Sequence, residues 1–103
     1  RSGKRISIPM PETIADGLRA STPGALTFPI VQKHVEDIAL VNENQIRETM
    51  RYLLMRMKML AEPSGAVSAA AALFHKLPAG LGRVGFVISG GNVDFEVIQN
   101  LDN

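Results

Sequence analysis

The sequence contains no cysteine and no tryptophan. Without cysteine there can be no disulfide framework and no thiolate metal site, a composition that suits a reducing, cytoplasmic setting. Aromatic residues are few, namely Phe28, Tyr52, Phe74, Phe86 and Phe95. Charge of one sign is also lacking: 11 Lys and Arg stand against 10 Asp and Glu, a net charge of +1, with no basic run. Nucleic acid and anionic membrane surfaces are read through basic patches, so neither has an electrostatic case here. No stretch is apolar for the ~20 residues that a bilayer requires. The longest run of small apolar residues, Ala66 to Phe74, is interrupted by Ser68. No secretory leader is expected, and no GxSxG, HExxH, P-loop or GxGxxG spacing occurs. His34 and His75 lie far apart, each beside a lysine on an expected helix, and read as solvated rather than metal-binding.

What is present is an ordinary globular composition, 46% apolar and 20% charged over 103 residues, enough for one small domain with a modest core. The first eleven residues are basic, and the alternation Ile6-Ser7-Ile8 is cut short by Pro9 and Pro11, as in a connector or edge strand. A short helix is expected from Thr13 to about Ala20, with Ile14, Ala15 and Leu18 on its apolar side. A second is expected from Thr27 to about Val35, with Pro29 in its first turn. Between them, Ser21-Thr22-Pro23-Gly24 is turn chemistry.

Residues 37–41 then read as a strand. Asn42, with Gln45 three positions on, caps a helix that runs to about Leu60. Ile46, Met50, Leu53, Leu54, Met57 and Leu60 share one stripe of that helix. Its methionines suit core filling, or an adaptable binding surface. Glu62-Pro63-Ser64-Gly65 breaks the chain before another helix, Ala66 to about Leu77. The alanines at 69–72 would let that helix lie close to a sheet or a ligand. A closing helical turn is expected between Phe95 and Asn103. The fold class is therefore α/β, with about two strands, three to five helices, and a right-handed crossover joining residues 37–41 to 84–88.

The most informative stretch is Val84 to Asp94. An apolar run with Val and Ile on both parities reads as a strand buried on both faces. It ends in Ser89-Gly90-Gly91-Asn92, and ligands of open α/β sheets bind outside the carboxyl ends of strands. Two glycines allow close backbone approach or positive φ, while Ser89 and Asn92 are small polar groups suited to recognising one or two heteroatoms. An ordinary strand exit with glycine turn chemistry fits the same residues. Two strands are few for a sheet of about four to six. The chain, which begins Arg1-Ser2-Gly3, is expected to be the later part of a larger domain, with no second domain of its own.

Three motifs taken together, Glu12-Thr13-Ile14-Ala15-Asp16-Gly17, Glu62-Pro63-Ser64-Gly65-Ala66 and Ser89-Gly90-Gly91-Asn92-Val93-Asp94, resemble one family. It is the pyridoxal-phosphate-dependent threonine and serine ammonia-lyases with their relatives the serine racemases, and Arg56-Met57-Lys58 is similar to it as well. The resemblance implies a fold-type II enzyme, similar in architecture to the tryptophan synthase β subunit, with the cofactor in a cleft between two α/β domains. Residues 1–103 would be the C-terminal part of the larger, catalytic domain.

The resemblance places Ser89 against the pyridine nitrogen, with Gly90 and Gly91 keeping backbone clear of the ring, and puts Gly17 and Glu62 on the substrate side. It implies L-threonine or L-serine as substrate, converted to a 2-oxo acid and ammonia, with a racemase or a hydroxyaspartate ammonia-lyase as the alternative on the same scaffold. Lys58 and Asn92 match positions that contact AMP or ATP in some members, generally near a subunit interface of a homo-oligomer. The Schiff-base lysine, the phosphate loop and the ligands of any divalent or monovalent cation would precede this segment. Alone it would then be inactive and require the remainder of the catalytic domain. A different reading of that lack is a non-catalytic module that binds nucleotide or assembles subunits.

Overall fold

A computed structural model describes residues 2–101. Its elements are a 3-10 turn η1 (Asp16–Leu18) followed by four α-helices: α1 (Thr27–His34), α2 (Glu43–Met57), α3 (Pro63–Leu73) and α4 (Phe95–Gln99). The last two residues of the expected C-terminal turn lie outside the described residues.

Helix α2 forms as its sequence dictates. The Asn42 side chain accepts from the Gln45 amide at 2.9 Å, and the Gln45 side chain accepts from the Asn42 amide at 3.0 Å. This reciprocal box satisfies two of the donors that a helix start leaves without partners. The stripe then turns Ile46, Met50 and Leu53 into the core, where each is at most 3% exposed. Thr49 joins them. Its hydroxyl donates to the Gln45 carbonyl at 2.7 Å, which makes a buried polar side chain tolerable. The helix ends at Met57 rather than Leu60, because Lys58 takes a left-handed conformation with φ of 56°. Met57 and Leu60 are consequently about half exposed.

Helix α3 starts three residues earlier than expected. Pro63 occupies its first turn, where a missing N–H costs nothing and a fixed φ is helical. The same rule therefore makes Glu62 the N-cap and brings Ser64 and Gly65 inside the helix. It ends at Leu73, before the positive φ of His75, and the Lys76 amide returns to the Ala71 carbonyl at 2.9 Å. Ala66, Ala69 and Ala70 are buried, so α3 lies close against α2 and η1. The core is Ala15, Ile46, Met50, Leu53, Ala61, Ala66 and Ala69, flanked by Ile14, Val41, Ile88 and Val93 among others.

Two expectations are corrected. Thr13 caps no helix through Ala20; only the single turn at 16–18 forms, and the Thr13 hydroxyl instead donates to Glu43 at 2.6 Å. The segments 37–41 and 84–88 form no strand among the described residues, and so no crossover. A strand exists only through a ladder to a neighbour, and these two segments do not pair with each other. Segment 84–91 runs instead past α3: Ser68 donates to the Val87 carbonyl at 2.6 Å, and the Glu62 amide to the Gly90 carbonyl at 3.1 Å.

Candidate functional site

The first turn of α3 is a joint between two loops. On one side it holds the Ser89-Gly90-Gly91 stretch. The Glu62 amide donates to the Gly90 carbonyl, and the two backbones are so close that no Cβ fits between them. A Cβ on Gly65 would lie 2.5 Å from the Gly90 carbonyl oxygen and 3.0 Å from its nitrogen. A Cβ on Gly90 would run into the Glu62 carboxylate, and one on Gly91 would reach 2.7 Å from the Leu60 carbonyl oxygen. Neither Gly90 nor Gly91 has a positive φ; among the described glycines only Gly3 and Gly80 do. The glycine pair therefore serves close approach, and on its Cβ side the neighbour is the chain's own 60–62 backbone and carboxylate.

On its other side the joint holds η1. The Gly17 amide donates to Ser64 Oγ at 2.9 Å and to Asp16 Oδ1 at 2.8 Å. A Cβ on Gly17 would sit 3.0 Å from Ser64 Oγ and 3.3 Å from Ser64 Cβ, a tight fit. The approach to η1 is braced by Glu43, whose carboxylate accepts from the Thr13 hydroxyl at 2.6 Å and from the Ile14 amide at 3.0 Å. A carboxylate that accepts two hydrogen bonds in the first turn of a helix is well placed for its charge. Thus α2 and α3 together set the position of Gly17.

The residues singled out in the sequence fall into two groups. Gly17, Glu62, Gly90 and Gly91 are gathered around the α3 first turn, with Ser89 next to Gly90 in the chain. Ser89 is exposed, and its hydroxyl forms no hydrogen bond within the described residues. It is free to meet a heteroatom. Lys58 and Asn92 lie just outside, two residues before and one residue after the close Leu60–Gly91 approach. Both are exposed, and the Lys58 ammonium donates to the Met55 carbonyl at 2.8 Å.

Ser64 and Glu43 are site-supporting residues that the motifs did not single out for this role. A serine in the first turn of a helix after Glu-Pro, and an acid directly after an N-cap, were the available signals. Among the described residues no group of three or more His, Asp or Glu side chains could hold a metal ion. No helix there is long and apolar enough to cross a membrane.

Known proteins are similar to the chain in both sequence and fold. It is 40% identical over 101 residues to an L-threo-3-hydroxyaspartate ammonia-lyase from a Pseudomonas species, covering 98% of this chain and 32% of that protein. It is 40% identical over 103 residues to L-threonine ammonia-lyase of Thermotoga maritima, covering all of this chain and 25% of that protein. The structure of maize serine racemase superposes with a TM-score of 0.85 at 39% identity, covering 95% of this chain and 31% of that one. The chain thus spans about a quarter to a third of the length of these relatives. The family described as pyridoxal-phosphate dependent enzyme matches residues 1–90. On these grounds the chain is a member of the pyridoxal-phosphate dependent enzyme family.

Proposed function

We propose that residues 1–103 form the cofactor-ring and substrate flank of a fold-type II ammonia-lyase that converts L-threonine or L-serine to a 2-oxo acid and ammonia. The observation that carries this reading is the α3 first turn, which ties Ser89-Gly90-Gly91 and Gly17 to one rigid element. The donor set fits the cofactor's ring end. Ser89 offers an exposed hydroxyl with no partner in the described residues, held next to a backbone fixed by the Glu62–Gly90 bond.

When bound, pyridoxal phosphate supplies an electron sink for the charge left as the substrate loses its α-proton. Ser89 can hydrogen-bond the pyridine nitrogen but keeps its own proton on Oγ, because a hydroxyl is too weak an acid to give it up. That arrangement mutes the sink, and suits loss of a β-hydroxyl over prolonged carbanion chemistry. Glu62 and Gly17 border the substrate, one with a half-buried carboxylate and the other with backbone polar groups. The upstream lysine, the phosphate loop and any cation ligands are assigned to the remainder of the domain.

The same reading makes the enzyme a cytoplasmic homo-oligomer. It also assigns Lys58 and Asn92 to an AMP or ATP effector, whose phosphate would draw the Lys58 ammonium from the Met55 carbonyl. A racemase is the second reading, favoured by one observation: serine racemases are as similar to the chain as the lyases are. Incubation of the intact enzyme with L-threonine and L-serine separates the two. The lyase reading expects 2-oxobutanoate and pyruvate with ammonia as the main products. Accumulation of D-serine with little 2-oxo acid would overturn it.

A further inference from the structure

We infer that Ser64 is a positioning residue for the amino-acid substrate: its hydroxyl fixes Gly17 so that the Gly17 carbonyl meets a hydrogen-bond donor of the substrate. The inference rests on the ammonia-lyase reading and deepens it. Its first support is the use of the Gly17 backbone. The amide is fully engaged, on Ser64 Oγ at 2.9 Å and Asp16 Oδ1 at 2.8 Å. The carbonyl accepts nothing from the described residues, and Gly17 is exposed. Whatever Gly17 offers a ligand is therefore an acceptor, which matches an ammonium or β-hydroxyl proton and not a carboxylate.

The second support is what Ser64 is attached to. It belongs to the first turn of α3, whose start is locked to Gly90 by the Glu62 amide and by the Gly65 approach. Ser64 thereby ties the substrate loop to the backbone that carries Ser89. Of the bonds between described residues, the Gly17–Ser64 hydrogen bond is the side-chain link from η1 to α3. Fixing a loop against a rigid helix start limits misplacement of the reacting group, to which rates are steeply sensitive.

The test uses the intact enzyme. Ser64→Ala is expected to raise KM for L-threonine and L-serine by about three- to tenfold, the worth of one hydrogen bond. Pyridoxal phosphate affinity, the visible spectrum of the bound cofactor and the thermal midpoint should stay as in the wild type. Ser64→Thr, which restores the hydroxyl, should return KM to within about twofold of the wild type. Gly17→Ala should raise KM on its own, since its methyl meets Ser64 Oγ, and should do so less in the Ser64→Ala background. A wild-type enzyme active on these amino acids, combined with an unchanged KM in Ser64→Ala, would overturn the role of Ser64 alone. Equal losses of cofactor affinity and thermal midpoint would make Ser64 merely structural and overturn it too. A wild type that produces no 2-oxo acid and ammonia would instead overturn the ammonia-lyase reading.

Discussion

Gly65 shows how a single position can defeat its own propensity. In a helix, Gly→Ala usually stabilises by about 1 kcal/mol. Here the added methyl would lie 2.5 Å from the Gly90 carbonyl oxygen and 3.0 Å from the Gly90 nitrogen, both backbone atoms that cannot swing aside. Overpacking of that kind costs about 1–3 kcal/mol, so the collision wins. Gly65→Ala in the intact enzyme should lower the denaturation midpoint and loosen the 89–91 stretch; an unchanged or raised midpoint would contradict the packing described. Lys58 is the opposite case. It holds φ of 56° without being glycine, a conformation that costs an L-residue about 1–2 kcal/mol. The left-handed turn lets the backbone amides of Lys58 and Met59 close on the Leu53 carbonyl, which glycine would do equally well. The lysine side chain itself adds only an exposed hydrogen bond to Met55. Lys58→Gly should therefore raise stability by about 1 kcal/mol, and a fall in thermal midpoint would show that the lysine has further native contacts. Ser89, Glu62 and the glycines stand out in the sequence because they sit in contiguous motifs. Ser64 does not, since its partner Gly17 lies 47 positions away and no local pattern joins them.

At the scale of elements, legibility followed the locality of the forces. Helix α2 was plain in the sequence because its cap and its stripe are both short-range patterns. Replacing Asn42 with alanine removes an N-cap acceptor worth about 1 kcal/mol. The variant should lose about that much in a chemical denaturation curve, and a loss below about 0.3 kcal/mol would deny the capping box its role. Helix α3 was placed three residues late because Glu-Pro-Ser-Gly reads as a break, while Pro63 in fact starts the helix. The two expected strands could not be decided locally at all. Their apolar parity speaks of burial, but a ladder depends on a neighbour, and segments 37–41 and 84–88 form no ladder with each other. Val41 and Ile88 pack against the core, but other apolar side chains of these segments stand in the open: Leu40 is 79% exposed and Val87 75%.

That exposure extends to the whole molecule. The chain has an accessible surface of 8023 Å². A compact monomer of 11.1 kDa would have about 5,700 Å². Its extents of 40 × 35 × 19 Å describe a slab no thicker than two helices. Large apolar side chains stand open across it, Leu26, Leu40, Val87 and Phe95 among them, and apolar exposure of that extent marks a face meant to be covered. The 103-residue chain produced alone should bind a hydrophobic dye strongly and melt without a sharp transition; a cooperative melt without dye binding would contradict a face of that kind. In the proposed enzyme Ser89, Glu62 and Gly17 form one flank of the site, and the rest of the domain supplies the opposite wall.

That this flank meets the cofactor ring is the central claim, and the most direct measurement is a pyridoxal phosphate titration of intact Ser89→Ala enzyme against the wild type. Loss of the hydroxyl should weaken cofactor binding by about three- to tenfold, the worth of one hydrogen bond, and lower turnover with it. Ser89→Asp, which can hold a proton on the ring nitrogen, should change the visible spectrum and the partition between products. Identical cofactor affinity and spectrum in wild type, Ser89→Ala and Ser89→Asp would contradict a contact between Ser89 and the ring.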